Sequence, residues 1–173
     1  QIYFYENGKW NTPANVSFQV NTIDDLSNAP TDAKVCLVRD RLRGGVFVYD
    51  DSKKTINNQG TIINGWVRQY FGNVDVKWFG AVGNGTTDDT EAIQNAVNAE
   101  PEVFLSPGTY LVSNTITIPA NHCVKGTPSS FMYLEEDGKS VFKLSSYSEV
   151  HSVMFKGLSD RQTQGFIVVD GGA

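Results

Sequence analysis

The chain has 173 residues and a formal net charge of −5, a balance that argues against nucleic acid as its main partner. Hydrophobic residues make up 40% and aromatics 12%, which excludes a disordered chain, and the length is enough to bury a core. No apolar run approaches a membrane span, so no membrane partner is expected. The two cysteines, Cys36 and Cys123, give neither a disulfide framework nor metal-ligand spacing and read as buried small hydrophobes.

In chain order, YENGKW places Trp10 after an Asn-Gly turn and suggests a hairpin from Tyr3 to Phe18. Residues 1–21 are therefore read as a hairpin or linker to an anchor domain. In NTIDDLSNAP, Asp24 and Asp25 open a short helical turn; in VYDDSKK, Asp50 and Asp51 end a strand. Neither adjacent pair suits acid/base work, because neighbours on a strand point to opposite faces. Arg39, Arg41 and Arg43 alternate along VRDRLRGG and would share a solvated face if that stretch is a strand; a contact for acidic glycans is the alternative.

GAVGNGTTDDTEAIQNAVNA (residues 80–99) turns from a glycine-rich loop into a helix. Asp88 reads as the N-cap, with Glu91 at capping-box spacing. Asp88, Asp89 and Glu91 set negative charge at the positive end of the helix dipole. Ala92, Ile93, Ala96, Val97 and Ala99 form one narrow apolar stripe, and Pro101 ends the helix. The loop lacks the Lys and Ser/Thr of a P-loop, the glycine spacing of a dinucleotide fingerprint and the ligands of an EF-hand. Its aspartates read as a helix cap, not as a catalytic pair.

VFLSPGTYLVSNTITIPANHCVKG (103–126) is a string of short strands broken by turn residues, and SVFKLSSYSEVHSVMFKG (140–157) repeats the rhythm. HCVKG and HSVMFKG look like one corner reached twice, which would set His122 and His151 at similar positions. As a pair without a third ligand they are left structural. GFIVV (165–169) begins another strand. Tyr133 is a core aromatic or a sugar platform, and Glu135, Glu136 and Asp137 form a loop. Short strands with no second helix suggest stacked coils, as in a parallel β-helix. Such a stack needs its open first coil capped, and an alanine-lined helix suits that place.

VKWFGAVGNGTTDDTEAIQNAVNA followed by VFLSPGTYLVSNTITIP resembles the opening segment of the pectate-lyase-like, right-handed β-helix superfamily. The family pattern is roughly FGA-x-GDG-x-TDDT-x-AIQ-x-A, then PxGTY; Asn84 stands where the family usually has Asp. Upstream, residues 27–80 resemble the small β domain that precedes the β-helix in bacteriophage tailspikes. Its marks here are GG-x-F-x-YD (44–50), GT-x-I (60–63) and GWVRQY (65–70), with Asn57-Asn58-Gln59-Gly60 where relatives often have Asp-Gly-Gly. Trp66 and Trp78 lie in motifs whose family role is packing.

The resemblance implies a mainly β chain with three parts: the hairpin or linker 1–21, a small β domain 22–79, and a capping helix with the first coils of a truncated right-handed parallel β-helix, 80–173. It implies the N-terminal part of a phage tailspike, located in the virion tail, trimeric, contacting other tail proteins and binding a bacterial surface polysaccharide such as capsule or O-antigen through the full-length chain. That parent would depolymerise its glycan by hydrolysis or β-elimination, with the chemistry on coils downstream. No catalytic residue, cofactor or metal is assigned within these residues. The alternatives are a non-catalytic structural or adhesion module of the virion and a secreted bacterial polysaccharide lyase or pectinase.

Overall fold

The structure, a computed structural model, describes residues 4–6, 9–11, 18–134, 139–156 and 167–169. The chain divides into two units, Gln1–Gly72 and Asn73–Ala173.

In the first unit, β1 (Phe4–Glu6) and β2 (Lys9–Asn11) pair antiparallel, with Glu6 opposite Lys9. The expected hairpin is therefore shorter than Tyr3 to Phe18. Phe18 instead begins β3 (Phe18–Val20), which runs parallel to β4 (Val35–Val38) in another sheet. The Asn7-Gly8 turn lies outside the described residues. β5 (Gly45–Tyr49), β6 (Ile62–Ile63) and β7 (Trp66–Gln69) complete a five-stranded sheet in the order β3-β4-β5-β7-β6. Strand alternation sends Cys36, Val38, Phe47, Ile63 and Trp66 to one face, where Ile23, Leu26 and Ala29 cover them. Trp66 meets Tyr49 edge-on at 5.3 Å.

The arginine-rich stretch before β5 is a turn, not a strand. Asp40 accepts the backbone N–H groups of Leu42 and Arg43, so the three arginines share no strand face. Arg43 reaches the Gln59 carbonyl at 2.7 Å. The aspartate pairs behave as local turn chemistry. Asp25 accepts from Thr22, Asp50 accepts from Ser52, and Asp51 pairs with Lys54. Asn58 organises the polar loop, its Oδ1 accepting the N–H groups of Gly60, Thr61 and Ile62.

The second unit opens with β8 (Val74–Asp75), a 3₁₀ turn over Val76–Phe79, and β9 (Asn84–Asp88). Then come α1 (Thr90–Ala99), β10 (Glu102–Phe104), β11 (Gly108–Val112) and β12 (Ile116–Ile118). They are followed by β13 (Cys123–Lys125), β14 (Ser130–Leu134), β15 (Phe142–Leu144), β16 (Glu149–His151), β17 (Met154–Phe155) and β18 (Ile167–Val169). These strands form three parallel sheets, β8-β10-β13-β16, β9-β11-β14-β17 and β12-β15-β18. Each coil after the first visits each sheet once. In the first coil α1 stands where later coils have a strand of the third sheet.

Like residues stack from coil to coil. Val74, Val103, Val124 and Val150 lie in successive register on the first sheet, and the first three are almost fully buried. Tyr110, Met132 and Phe155 stack on the second sheet; Ile116, Phe142 and Ile167 stack on the third. The inward positions alternate with outward ones, as strand geometry demands.

This register corrects the corner reading. Cys123 pairs with Glu149 and Lys125 with His151, so His151 lies beside Lys125 and not beside His122. The two segments share a Lys-Gly ending and a histidine, but the coil register is set by the inward valines at 124 and 150.

The helix begins later than expected. Its N-cap is Asp89, whose side chain makes no capping bond to the helix. Asp88 holds the first turn from one residue further out, accepting the Thr90 N–H at 3.0 Å. The Asp88–Glu91 capping box therefore does not define the helix start. The apolar stripe does bury: Ile93, Ala96 and Val97 are inaccessible to solvent, while Ala92 and Ala99 are half-buried.

Candidate functional site

Three parts of the second unit gather the residues singled out by sequence: the glycine loop before α1, the outer face of the second sheet and the outer face of the first. The loop is a structural lock. Asp89 is fully buried, and its two carboxylate oxygens accept the N–H groups of Val82 at 2.7 Å and Gly83 at 3.0 Å. Burial pushes its pKa up, against the opposing pull of those two hydrogen bonds. Gly83 has φ +66, and a Cβ there would lie 3.0 Å from the Tyr110 ring, so a side chain would be strained and would crowd that ring. Tyr110 is itself buried and donates its hydroxyl to the Ser106 carbonyl at 2.7 Å. Burial pushes its pKa up to about 12.

Asn84 serves the same loop, its Oδ1 accepting the N–H groups of Thr86 and Thr87. Tyr133 reaches back across two coils to donate to the Gly85 carbonyl at 2.5 Å, which makes it a tie between coils. Burial works to raise the pKa of Asp88, but hydrogen bonds from Ser113 and Thr90 outweigh it, and the net shift is downward. The carboxylates of this loop are thus engaged, Asp88 with Thr90 and the Ser113 hydroxyl, and the glycine loop is closed from inside by Asp89.

Sequence reasoning missed Gln94. Its Nε2 donates to the Thr117 carbonyl at 2.9 Å and its Oε1 accepts the Thr117 N–H at 2.9 Å. A side-chain amide thus reproduces the donor and acceptor of a neighbouring strand on the edge of β12. Nothing local marked it, because Gln94 shares its helix face with Thr90, Glu91 and Asn98 and reads there as one more polar residue.

The outer face of the second sheet carries Thr109, Phe131 and Met154 in register. With Phe155 and Lys156 they line a groove of about 340 Å³. Phe131 and Met154 are exposed, so this face is apolar with one cation at its margin. Beside α1, a second and more polar depression is lined by Asp88, Glu91, Gln94, Asn95, Ser113 and Asn114 among others.

The outer face of the first sheet carries Glu102, Cys123 and Glu149 in one row, with Phe104, Lys125 and His151 in the next. Lys125 binds Glu102 at 2.9 Å and His151 Nε2 meets Glu149 at 2.8 Å. Cys123 is only half-buried, contrary to the buried-hydrophobe expectation, because it occupies an outward position between inward Val124 and the corner. Cys36 does fit that expectation; burial pushes its thiol up to about 11. Burial also raises the Cys123 thiol, with Lys125 pulling the other way. His122 turns away, its Nδ1 lying 2.8 Å from the Ala120 carbonyl. Trp66 is buried and Trp78 half-buried. Glu135, Glu136 and Asp137 lie outside the described residues, as does Gly165; the strand expected after it is seen as β18.

Comparison with known proteins agrees with this architecture. The pre-neck appendage protein of Bacillus phage B103 is 43% identical over 53 residues, which are 31% of this chain and 6% of that one. A capsule K30/K69-specific depolymerase of Klebsiella phage K64-1 is 31% identical over 132 residues, covering 73% of this chain and 17% of the depolymerase. The chain thus spans less than a fifth of either relative. Among solved structures, the Acinetobacter phage vB_ApiP_P1 tailspike superposes with a TM-score of 0.73 at 23% identity, over 88% of this chain and 32% of that one. The match is one of fold: a mainly β chain of parallel coils with the tailspike β-helix arrangement. Residues 71–168, more than half of the chain, match a family model, and the chain belongs to the family described as Rhamnogalacturonase A/epimerase, pectate lyase-like.

Proposed function

We propose that this chain is the N-terminal part of a phage tail spike, located in the virion tail, which leads into a β-helix that binds and depolymerises a bacterial surface polysaccharide. The observation that carries it is the closed first coil. Gln94 covers the starting edge of the third sheet and Asp89 holds the loop that leads into the covering helix, as the terminal cap of a solenoid must. The similarity to a capsule-specific depolymerase over most of this chain supports the glycan reading.

On this reading residues 1–21 link to a virion anchor, 22–79 form a small β domain, and 80–173 cap and begin the β-helix. Three copies assemble side by side and contact other tail proteins. On the same reading the chemistry lies on coils downstream and this segment by itself is inactive; the engagement of Asp88 and Asp89 in local hydrogen bonds supports it. The host, the glycan and the choice between hydrolysis and β-elimination belong to those coils.

The experiment is release of reducing ends and unsaturated sugars from a panel of capsular and O-antigen polysaccharides, with this chain and its longer parent assayed side by side. Cleavage by the parent alone supports the reading. Cleavage by this chain overturns the downstream placement. A second reading, a non-catalytic appendage of the virion, is favoured by the similarity to the pre-neck appendage protein. A trimeric parent that binds glycan without cleaving it would select that reading.

A further inference from the structure

We propose that Cys123, Glu149 and His151 form a binding site for a borderline-soft divalent metal ion, with Zn²⁺ the ion their chemistry fits. The Cys123 sulfur, a Glu149 carboxylate oxygen and a His151 ring nitrogen all lie within 4.8 Å of one another. The backbone fixes this convergence. Cys123 and Glu149 are direct partners on adjacent parallel strands. Glu149 and His151 are two apart on β16, so they leave the same face of the sheet.

The donor set selects the ion. A thiolate, a carboxylate and an imidazole supply sulfur, oxygen and nitrogen, the set that suits tetrahedral Zn²⁺ with a fourth position for water. Ca²⁺ and Mg²⁺ prefer all-oxygen shells and gain little from sulfur or imidazole. The thiolate and the carboxylate together balance a divalent charge; the thiol proton leaves to solvent when the metal binds. Bonds of ~2.0–2.3 Å in a tetrahedral shell space the donors roughly 3.4–3.7 Å apart, so the thiol draws in while the Glu149–His151 contact of 2.8 Å opens to admit the ion. Neither side chain is walled in, since that of His151 is 54% and that of Glu149 65% exposed. The nearby cation does not oppose the ion unpaired, because the Lys125 ammonium is bound to Glu102 at 2.9 Å. Glu102, the other register partner of Cys123, is held by Lys125 and stands outside the cluster.

Nothing in the linear spacing announces this site, because its ligands come from two successive coils. Their coincidence is a product of register. The site is also independent of the glycan reading, since it occupies the first sheet and uses none of the loop carboxylates.

The test is titration of the full reduced chain, prepared without an affinity tag, with Co²⁺ as the probe and Zn²⁺ as competitor. The expected result is one equivalent of Co²⁺ with a thiolate-to-cobalt charge-transfer band, displaced stoichiometrically by Zn²⁺. Cys123→Ser abolishes the band, whereas Cys36→Ser leaves it intact. His151→Ala and Glu149→Gln, at exposed positions that folding tolerates, each weaken Zn²⁺ by at least the ~10–100-fold that even a supporting partner is worth. Absence of the band, its persistence in Cys123→Ser, or unchanged affinity in both His151→Ala and Glu149→Gln would each overturn the proposal.

Discussion

The side-chain amide of Gln94 and the backbone of Thr117 exchange two hydrogen bonds, each of 2.9 Å. An amide side chain has the donor and acceptor of a peptide unit, so Gln94 presents β12 with the equivalent of one more strand residue. Without it, β12 would be an open edge of the third sheet, and open edges recruit other chains. The helix alone, whose backbone bonds are internal, offers that edge nothing.

Gln94→Glu is expected to be worse than Gln94→Ala. Glutamate keeps an acceptor for the Thr117 N–H but sets a carboxylate against the Thr117 carbonyl. The cost is on the order of 1–3 kcal/mol in a urea melt. Alanine leaves both backbone groups to water at a smaller cost, and its mark is concentration-dependent self-association in light scattering. Equal midpoints for Gln94→Glu and the parent chain would show that the amide pairing carries no weight.

The underside of α1 gives a second expectation. Ala96 is inaccessible to solvent, as are Ile93 and Val97 on either side. Ala96→Asp forces a charge into that contact, where it has no partner. The variant should be insoluble or lose its cooperative unfolding. Ala96→Gly, which loses some helix propensity and one buried methyl, should cost only ~2 kcal/mol. If both variants melt alike, the helix is not packed on the first coil.

Much of this was legible in the residues, and the reasons differ by element. The apolar stripe of α1 obeys a 3.6-residue period that any burial would require, so the helix and its buried face could be read directly. The coil architecture was suggested by recurring short strands and turns, but two imperfect repeats are thin, and the family resemblance of residues 76–119 carried it. Register was not. HCVKG and HSVMFKG look alike, yet the inward stacking of Val124 on Val150 sets Cys123 beside Glu149 and His151 beside Lys125. Local likeness cannot compete with a continuous buried ladder. The capping residue was misplaced for a related reason. Asp88 has the better local signature, but Asp89 is drawn inward by the Val82 and Gly83 N–H groups, a tertiary demand no capping rule contains. The metal-ligand cluster needed contacts between coils and was invisible at the level of spacing.

The adjacent aspartates should respond to pH in opposite senses. The folded-state pKa of Asp88 is lowered from 3.8. Its contribution is therefore fully present above that value and is lost as pH falls through the lower folded value. The folded-state pKa of Asp89 is raised from 3.8. Its ionised form is the one that burial disfavours, so this group favours folding most below 3.8 and loses that advantage as pH rises through its folded pKa. Asp88→Asn should flatten the acid limb of a stability profile below pH 3.8, while Asp88→Ala costs ~1 kcal/mol at neutral pH through the lost bond to Thr90. Asp89→Asn should cost more, ~1–3 kcal/mol, because one of its two acceptors becomes an amide NH₂ facing a backbone N–H. An acid limb unchanged in Asp88→Asn would refute the assignment.

Arg68 carries the last expectation, in the first unit. It is 4% exposed. Its Nε donates to the Gly60 carbonyl at 3.2 Å, Nη1 to Gly44 at 2.6 Å and Nη2 to Arg43 at 2.6 Å, while the guanidinium lies 4.6 Å over the Phe47 ring. One planar fork thus ties the loop after β4 to the polar loop before β6. Burial and then the positive charge of Arg43 lower its pKa to about 10, so it remains charged at neutral pH. Lysine offers a point charge in place of the fork. Arg68→Lys can serve one of the three carbonyls and orphans the others, a loss of at least ~2 kcal/mol. Arg68→Met keeps an apolar stem but loses the guanidinium over Phe47 and serves no carbonyl, so it should be more damaging still. Gly45→Ala should weaken the same tie from the other side, because a Cβ there would lie 2.7 Å from Nη1. Thermal melts of the three variants decide the matter: if Arg68→Lys melts with the parent chain, the loops are held by their own turns and the guanidinium is incidental.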